Sequence, residues 1–287
     1  MARTGDSTAV TASVSWPDVR VPDARRRRRA GLGKGRELLH GPVRMKRQVR
    51  QLKRSESIAR LLVDRITSSH LKDGDSLESE IVMMEDLNTG RGSLREAFRI
   101  LELNGILEVR TGPTGGPIVR EPDISHFGGM WSLFLRMSGC TYRELMEASI
   151  LTEPPIAAIG AQKRNPEHLA ALQAAIDLEA SIAPTDGPGY MAAKAAFHDA
   201  IARLVDNRAV YLYLRGNDWI TSIPFSEVVR VSEVQAEVLD VHKRIVKAIA
   251  DGSPRRAETL LRTHLEMSLA YCEQKFGTII DQPVRWH

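Results

Sequence analysis

The feature that most constrains this chain is a short arginine-bearing helix that runs into a glycine-rich loop, over residues 91–120. Its apolar face is marked at helical spacing by Leu94, Ala97, Phe98 and Leu101. Arg91, Arg95 and Arg99 recur every four residues on the opposite face. A helix of this kind packs one side on a core and presents guanidinium groups on the other side.

Two further helices are predicted upstream of this one. The first begins near Ser55 and has an apolar stripe of Ile58, Leu61, Leu62 and Ile66. A turn over residues 72–76 separates it from a second helix, whose first turn is expected to contain Glu78 and Glu80. Residues 88–92 then form a short glycine-containing break. Two helices joined by such a turn, with arginines at the start of the second, are typical of a helix-turn-helix.

A hairpin is predicted directly after the arginine-bearing helix. Two short β-branched runs flank the Gly/Pro loop of residues 111–117, and Gly115 and Gly116 leave room for a close backbone approach to DNA. Arginine can bind guanine in a bidentate manner or hold a phosphate. For Arg99 the favoured interpretation is an ordinary ion pair with Glu96 or Glu102.

This segment resembles the winged helix of GntR-type bacterial transcription regulators in residues 77–80, 91–107 and 112–116. The resemblance implies DNA contacts through the start of the helix and through the wing, at Arg91, Gly92, Ser93, Arg95, Gly115 and Gly116. The chain departs from the family pattern at three positions. Glu78 replaces the usual Pro, Gly90 replaces Ser or Thr, and Ile81 stands where Arg is frequent.

The positive charge of the chain is concentrated at its N-terminus. Residues 1–50 contain 13 Lys/Arg and 4 Asp/Glu, including the run Arg25–Arg29, although the whole chain has a net charge of only +4. Without apolar periodicity this segment is predicted to be a disordered extension. It is either an arm that holds nucleic-acid phosphates or a tail of little consequence, absent altogether if translation starts at Met45.

The remainder of the chain is predicted to be an antiparallel all-α bundle, which makes the fold class mainly α. About six or seven helices are expected over residues 131–276, and no hairpin signal interrupts them. Pro154 and Pro155 are expected to kink one helix or to lie near its start. The predicted organisation is an extension (1–50), a winged helix-turn-helix (51–121), a linker (122–130), an effector-binding and dimerisation domain (131–276) and a tail (277–287).

Three histidines in the bundle form a candidate metal site. His242 and His264 lie about ten residues before and after the turn at 251–254, so they are expected at a similar height on neighbouring antiparallel helices, about 15 Å from the turn. His198 lies on an earlier amphipathic helix. Imidazoles at one height in a bundle can hold zinc or nickel. The alternative is that each is a satisfied polar group on a half-buried face.

The spacing of these histidines is similar to that in the ligand-binding (FCD) domain of the FadR-like branch of GntR regulators. The resemblance implies a homodimer and one divalent metal, with a carboxylate effector completing the metal shell. An Asp one turn before the first histidine is usual there, and Lys194 occupies that position. An Arg four residues before a Glu is also usual there. Glu153 matches that Glu, and Ser149 occupies the Arg position. Either the three histidines hold a metal completed by water or by an acidic effector, or the site is empty and Lys194 itself binds an effector carboxylate as a point charge. Lys194, Glu153 and Ser149 are therefore the candidate effector-binding residues.

The sequence favours a sequence-specific transcriptional regulator, most simply a repressor, over two alternatives. A metal-dependent enzyme would need a general base beside an open metal position, and no His-Glu-x-x-His motif is present. An architectural DNA-binding protein acting through the arginine arm would need no pocket. Only two cysteines, Cys140 and Cys272, and no long apolar run are present, so a cytoplasmic protein associated with operator DNA is expected.

Overall fold

The computed structural model describes residues 53–112, 115–226 and 231–287, with no side-chain detail for 225–226 and 231–233. These residues divide into two compact units, one comprising 53–134 with 286–287 and the other comprising 135–285. The predicted extension of residues 1–50 lies outside the described residues. None of the described helices combines the length and the apolar character that a bilayer crossing requires.

The first unit begins with three helices, α1 (Arg54–Ser68), α2 (Glu80–Asp86) and α3 (Arg91–Leu103). Their shared core contains every residue of the predicted stripe on α3, together with Ile58, Leu62 and Met83. One expectation was wrong in detail. Helix α2 begins at Glu80 because the Ser79 hydroxyl caps it by accepting from the Val82 amide, so Glu78 precedes the helix and pairs with Arg65 at 3.4 Å.

The predicted hairpin follows α3 as strands β1 (Leu107–Arg110) and β2 (Gly116–Val119). They pair antiparallel, with Leu107 opposite Val119 and Arg110 opposite Gly116. Leu107 and Val119 face the core of the three helices, which fixes the register because a slip by one residue would expose both. The order of helices and strands is that of a winged helix.

Residues 122–130, predicted to be a linker, are mostly helical. Helix α4 spans Ile124–Ser138, and the Asp123 carboxylate accepts from the amides of Ser125 and His126 at its start. Gly128 and Gly129 lie inside this helix, where each destabilises it by only about 1 kcal/mol. The capping carboxylate and the burial of one face of α4 outweigh that effect.

The second unit contains six helices among its described residues: α5 (Tyr142–Lys163), α6 (Pro166–Ser181), α7 (Gly187–Arg203), α8 (Arg208–Ser226), α9 (Val231–Ala250) and α10 (Pro254–Ile280). Their common core is built from aliphatic and alanine side chains around Phe197. The mainly α fold class is thereby confirmed. The helix breaks fall at the predicted turns because Asn165, Asp186 and Ser253 occupy N-cap positions ahead of Pro or Gly.

Helix α5 runs through Pro154 and Pro155 and begins twelve residues before the first of them, so these prolines do not mark its start. Pro154 has no N–H to offer the Ile150 carbonyl one turn earlier. The guanidinium of Arg262 on α10 donates to that carbonyl at 3.1 Å instead. A tertiary contact therefore satisfies the group that proline leaves without a partner.

The C-terminal segment predicted as a tail from residue 277 is also ordered structure. Helix α10 continues to Ile280, with one non-helical residue at Phe276. The following residues return to the start of α5, where the amide of Val284 donates to the Cys140 carbonyl at 2.8 Å. Val284 is fully buried, so the chain end closes this corner of the bundle.

Candidate functional site

The start of helix α3 presents an exposed, positively charged surface. Gly90 is the N-cap and the first turn contains no acidic residue, so the backbone amides and the positive end of the helix dipole meet no local carboxylate there. Leu94 is fully buried on the opposite side. Arg91, Gly92, Ser93 and Arg95, the predicted DNA-contacting residues of this helix, therefore lie on its outward face and around its N-terminus.

Arg95 has a defined neighbour in α2. Its Nε lies 3.3 Å from Oε2 of Glu80, and its side chain remains 64% exposed. This contact orients the guanidinium and leaves most of its donors available. Arg99 instead pairs with Glu96 at 3.6 Å, as the favoured interpretation of that residue predicted.

The wing requires glycine at position 115. A Cβ there would lie 2.4 Å from the Arg110 carbonyl oxygen, a distance that only a backbone shift could relieve. Gly112, in the left-handed region at φ +111°, accepts from the Gly115 amide at 3.0 Å. Gly115 and Gly116 thus belong to a tight wing, and residues 113–114 lie outside the described residues.

The structure brings the three predicted histidines together inside the second unit. One ring nitrogen from each of His198, His242 and His264 lies within 4.8 Å of the other two. Nε2 of His242 is 3.2 Å from Nε2 of His264. All three side chains are buried, and burial lowers the pKa of His242 and of His264 well below the usual range, with smaller contributions from neighbouring positive charge that include Lys194.

Two buried carboxylates hold the outer nitrogens of this histidine cluster. Nδ1 of His198 lies 3.1 Å from Oε2 of Glu153, and Nδ1 of His242 lies 2.7 Å from Oε2 of Glu179. Burial raises the pKa of Glu179 to about 7. Nδ1 of His264 and Oε1 of Glu179 are buried and have no hydrogen-bond partner among the described residues.

Sequence reasoning missed Glu179, although the sequence contained a signal for it. On α6 it follows Leu172, Ala175 and Ile176 at the i, i+3, i+4, i+7 spacing of the buried stripe, and a carboxylate in such a stripe needs a partner. Phe197 was noted only as an apolar neighbour. Its ring stacks on His242 with centroids 3.7 Å apart, which fixes the imidazole plane.

A pocket opens above the histidine cluster and contains the predicted effector residues. Its empty volume, open mouth included, is about 950 Å³, and its wall includes Lys194, Glu153 and Ser149 together with His198 and His264. Asp218, also in the wall, is paired with Arg215 at 2.7 Å. The structure thus gathers one lysine, several polar groups and two histidines around a single cavity.

The wall of the pocket combines polar and apolar side chains. One helical turn above His198 and His264, about 6 Å along the helices, lie Lys194 and Ser268. A further turn up, the wall is formed by Met146, Tyr190, Met191, Val234 and Tyr271. A ligand in this space meets a cation, hydroxyl groups and apolar side chains.

Two family matches agree with the description of the winged helix and with that of the histidine-containing bundle. Residues 54–114 match the family described as bacterial regulatory proteins, gntR family, and residues 144–267 match the FCD domain. The two matches together cover the winged helix and the histidine-containing bundle.

This chain combines a GntR-family helix-turn-helix domain with an FCD domain.

Relatives and solved structures support the same assignment. The HTH-type transcriptional regulator LutR of Bacillus subtilis (strain 168) is 27% identical over 206 residues, which span 70% of this chain and 92% of LutR. The HTH-type transcriptional repressor NanR of Cronobacter sakazakii is 26% identical, with 78% of this chain and 87% of NanR covered. A structure described as Streptococcus agalactiae GntR superposes with a TM-score of 0.61 at 25% identity, covering 76% of this chain and 99% of that one. The protein is thus a DNA-binding transcriptional regulator with an effector-binding FCD domain.

Proposed function

We propose that this protein is a transcriptional repressor that binds a two-fold symmetric operator as a homodimer and releases it when a small carboxylate enters the FCD pocket. The observation that carries the DNA-binding part is the exposed pair Arg91 and Arg95 at the uncapped start of α3, beside a tight glycine wing. Helix-turn-helix dimers place one such helix in each half-site. Its place of action is the operator DNA in the cytoplasm.

Footprinting on the promoter region of its own gene tests this proposal. A protected pseudo-palindrome, with half-sites about one helical turn apart, is the expected result. Uniform coverage of the fragment would contradict sequence-specific recognition and would point to an architectural protein.

The histidine cluster fits a zinc or nickel ion. Tetrahedral zinc with Zn–N bonds of about 2.0–2.1 Å holds two nitrogens about 3.3 Å apart, and Nε2 of His242 and His264 are separated by 3.2 Å. Glu153 and Glu179 are bonded to the outer nitrogens, as carboxylates behind metal-bound histidines commonly are. We infer that His198, His242 and His264 hold one divalent ion, which supplies a Lewis-acid position for an acidic effector.

Lys194 changes how the effector is bound. An ammonium at this position contributes a positive charge where the family resemblance implies an Asp, so the site favours an anionic ligand more strongly. The apolar lining residues, among them Met146, Met191 and Val234, then accept a hydrocarbon or aromatic body. We propose that the effector is a carboxylate with a short apolar portion, its carboxylate at Lys194 and Ser268.

A thermal-shift screen of the full-length protein against small carboxylates tests this assignment. Ligands that raise Tm should also release operator DNA, and Lys194→Met should abolish both effects. Lys247→Met is the matched control, because Lys247 is exposed and pairs with Asp251 at 3.0 Å, away from the pocket wall. Equal responses from the Lys194→Met and Lys247→Met variants would contradict the role of Lys194.

Glu179→Gln should weaken zinc binding by about 10–100-fold, the usual effect of losing an outer-shell partner. Glutamine keeps the shape but removes the charge that holds His242 at 2.7 Å. Competition with a chromophoric chelator measures the change. Glu167→Gln, at the exposed first turn of the same helix, is the control and should leave the affinity unaltered. An unchanged affinity for Glu179→Gln would show that this carboxylate has no influence on the metal.

Deletion of residues 1–44 should weaken binding to operator and random DNA alike. Residues 51–120 contain 10 basic and 11 acidic residues, so the winged helix itself adds no net positive charge. For each phosphate that the arm no longer neutralises, the slope of log affinity against log salt concentration should become less steep by about one unit. An identical slope for the two proteins would identify the arm as a passive tail.

A further inference from the structure

Tyr190 on α7 is a buried tyrosine in the wall of the FCD pocket. The residue is 3% exposed and packs against Val234 and Val238 of α9. Burial raises the pKa of its hydroxyl, so the group stays neutral and can donate a hydrogen bond at physiological pH. A buried tyrosine hydroxyl normally has a partner, because apolar neighbours cannot replace the water that it gave up.

The Tyr190 hydroxyl has no hydrogen-bond partner in the described part of the chain. The charged group that acts on it is the carboxylate of Glu179. Oε2 of Glu179 bonds to His242, and its Oε1 is buried without a partner, so Tyr190 does not donate to this carboxylate. Because Tyr190 borders the open pocket, the missing acceptor enters there, as water or as an atom of a ligand.

Lys194 is a second group of this wall that lacks an acceptor. It follows Tyr190 by four residues on α7, which places the two on one face of the helix, about 6 Å apart along its axis. Both residues line the pocket, and no ion pair joins the Lys194 ammonium to a carboxylate of the described residues. The wall thus offers a cation and, one helical turn away, a neutral donor.

The acidic residues of the same wall already have partners. Glu153 bonds to Nδ1 of His198 at 3.1 Å. Asp218 pairs with Arg215 at 2.7 Å. A ligand that complements this pocket therefore brings acceptor oxygens to it rather than ammonium groups.

We propose that Tyr190 determines which acids this pocket accepts, by donating to a neutral second oxygen of the effector about 6 Å from the carboxylate at Lys194. This inference rests on the proposed function, which places the carboxylate at Lys194. A carbonyl or hydroxyl oxygen fits better than a second carboxylate, because Val234 and Val238 pack against the phenol and would take water from a second charge. The ligand class is a short aliphatic acid with a remote oxo or hydroxy group.

Binding of paired acids to the full-length protein tests this inference. Hexanoate, heptanoate and octanoate are each compared with their 5-oxo counterparts, which differ from them by one carbonyl oxygen. Isothermal titration should give the wild type at least about a 10-fold preference for the oxo acid of a pair. Tyr190→Phe should lose that preference by weakening the oxo acid alone, with the affinity for the parent acid unchanged.

Two further variants serve as controls. Tyr213 is half-buried on α8 and does not line the pocket, so Tyr213→Phe should leave both affinities of each pair unchanged. Lys194→Met should weaken the two acids of each pair to the same extent, because it removes the anchor that they share.

A measurement without ligand separates specificity from a structural role. Removing a hydroxyl that has no partner takes away a group that burial penalises, so Tyr190→Phe should leave the Tm of the ligand-free protein unchanged or raise it. A Tm below that of the wild type would show that the hydroxyl stabilises the fold through a bond of its own, and would overturn the inference.

The outcomes distinguish this inference from the proposed function. If the acids bind but the wild type shows no preference within a pair, or Tyr190→Phe retains the preference, the role of Tyr190 is overturned and the carboxylate effector stands. If no acid of either series binds to the wild type, the inference and the proposed effector class are overturned together.

Discussion

Arg95→Ala is expected to lower operator affinity by about 1–3 kcal/mol and to relax the sequence preference at the base pair that Arg95 reads. The side chain lies one turn into α3 and is 64% exposed, and Glu80 holds its Nε at 3.3 Å. It is therefore oriented before DNA arrives, so less side-chain entropy is lost on binding. A gel-shift titration at fixed salt, on operator and on single-base variants, measures both effects.

Arg99→Ala is the control for this prediction. It removes the same charge from the same face of α3, but Arg99 lies one turn further from the N-terminus and pairs with Glu96 at 3.6 Å. Its loss should change operator affinity by less than that of Arg95 and should leave the sequence preference intact. Equal losses of operator affinity for the two variants would mean that α3 contributes only positive charge. Unchanged affinity for Arg95→Ala would contradict the assignment of α3 as the helix that recognises the operator bases.

The full-length protein, purified without a His tag, is expected to contain about one equivalent of zinc or nickel, and His264→Ala is expected to lose it. Removing one of three imidazole ligands should weaken metal binding by more than the 10–100-fold that the loss of an outer-shell carboxylate causes. Elemental analysis by mass spectrometry, together with the Tm before and after chelation, measures both. His168→Ala is the control, since His168 pairs with Asp206 at 3.3 Å outside the cluster.

Metal well below one equivalent, even after incubation with zinc or nickel, would contradict this prediction. Lys194 would then act as the effector anchor on its own. In that case Lys194→Asp becomes the informative variant, because it places a carboxylate one turn before the first histidine and should create a site that binds metal. The same variant should lose the response to carboxylate effectors that depends on the ammonium.

The sequence by itself determined the features that depend on local periodicity. The buried stripe of α3, the glycine wing and the turns of the bundle are visible as short-range patterns, since a helix repeats every 3.6 residues whatever surrounds it. The similar distances of His242 and His264 from the turn at residues 251–254 were also predictable, because the rise per residue of a helix and the number of residues to the turn determine them. Lys194, Glu153 and Ser149 were placed by family resemblance, and the structure brings all three to one pocket wall.

Only the tertiary structure decided the features in which distant residues meet. Glu179 and His242 are 63 positions apart, and no local pattern could pair them. Arg262 donates to the carbonyl that Pro154 leaves without a partner, and α5 continues through a position where one of the two predictions placed its start. The supposed linker became α4, and the supposed tail became the cover of the bundle corner at Val284. For α5 and for the C-terminal segment, a hydrogen bond between remote residues outweighed a local preference of about 1–3 kcal/mol.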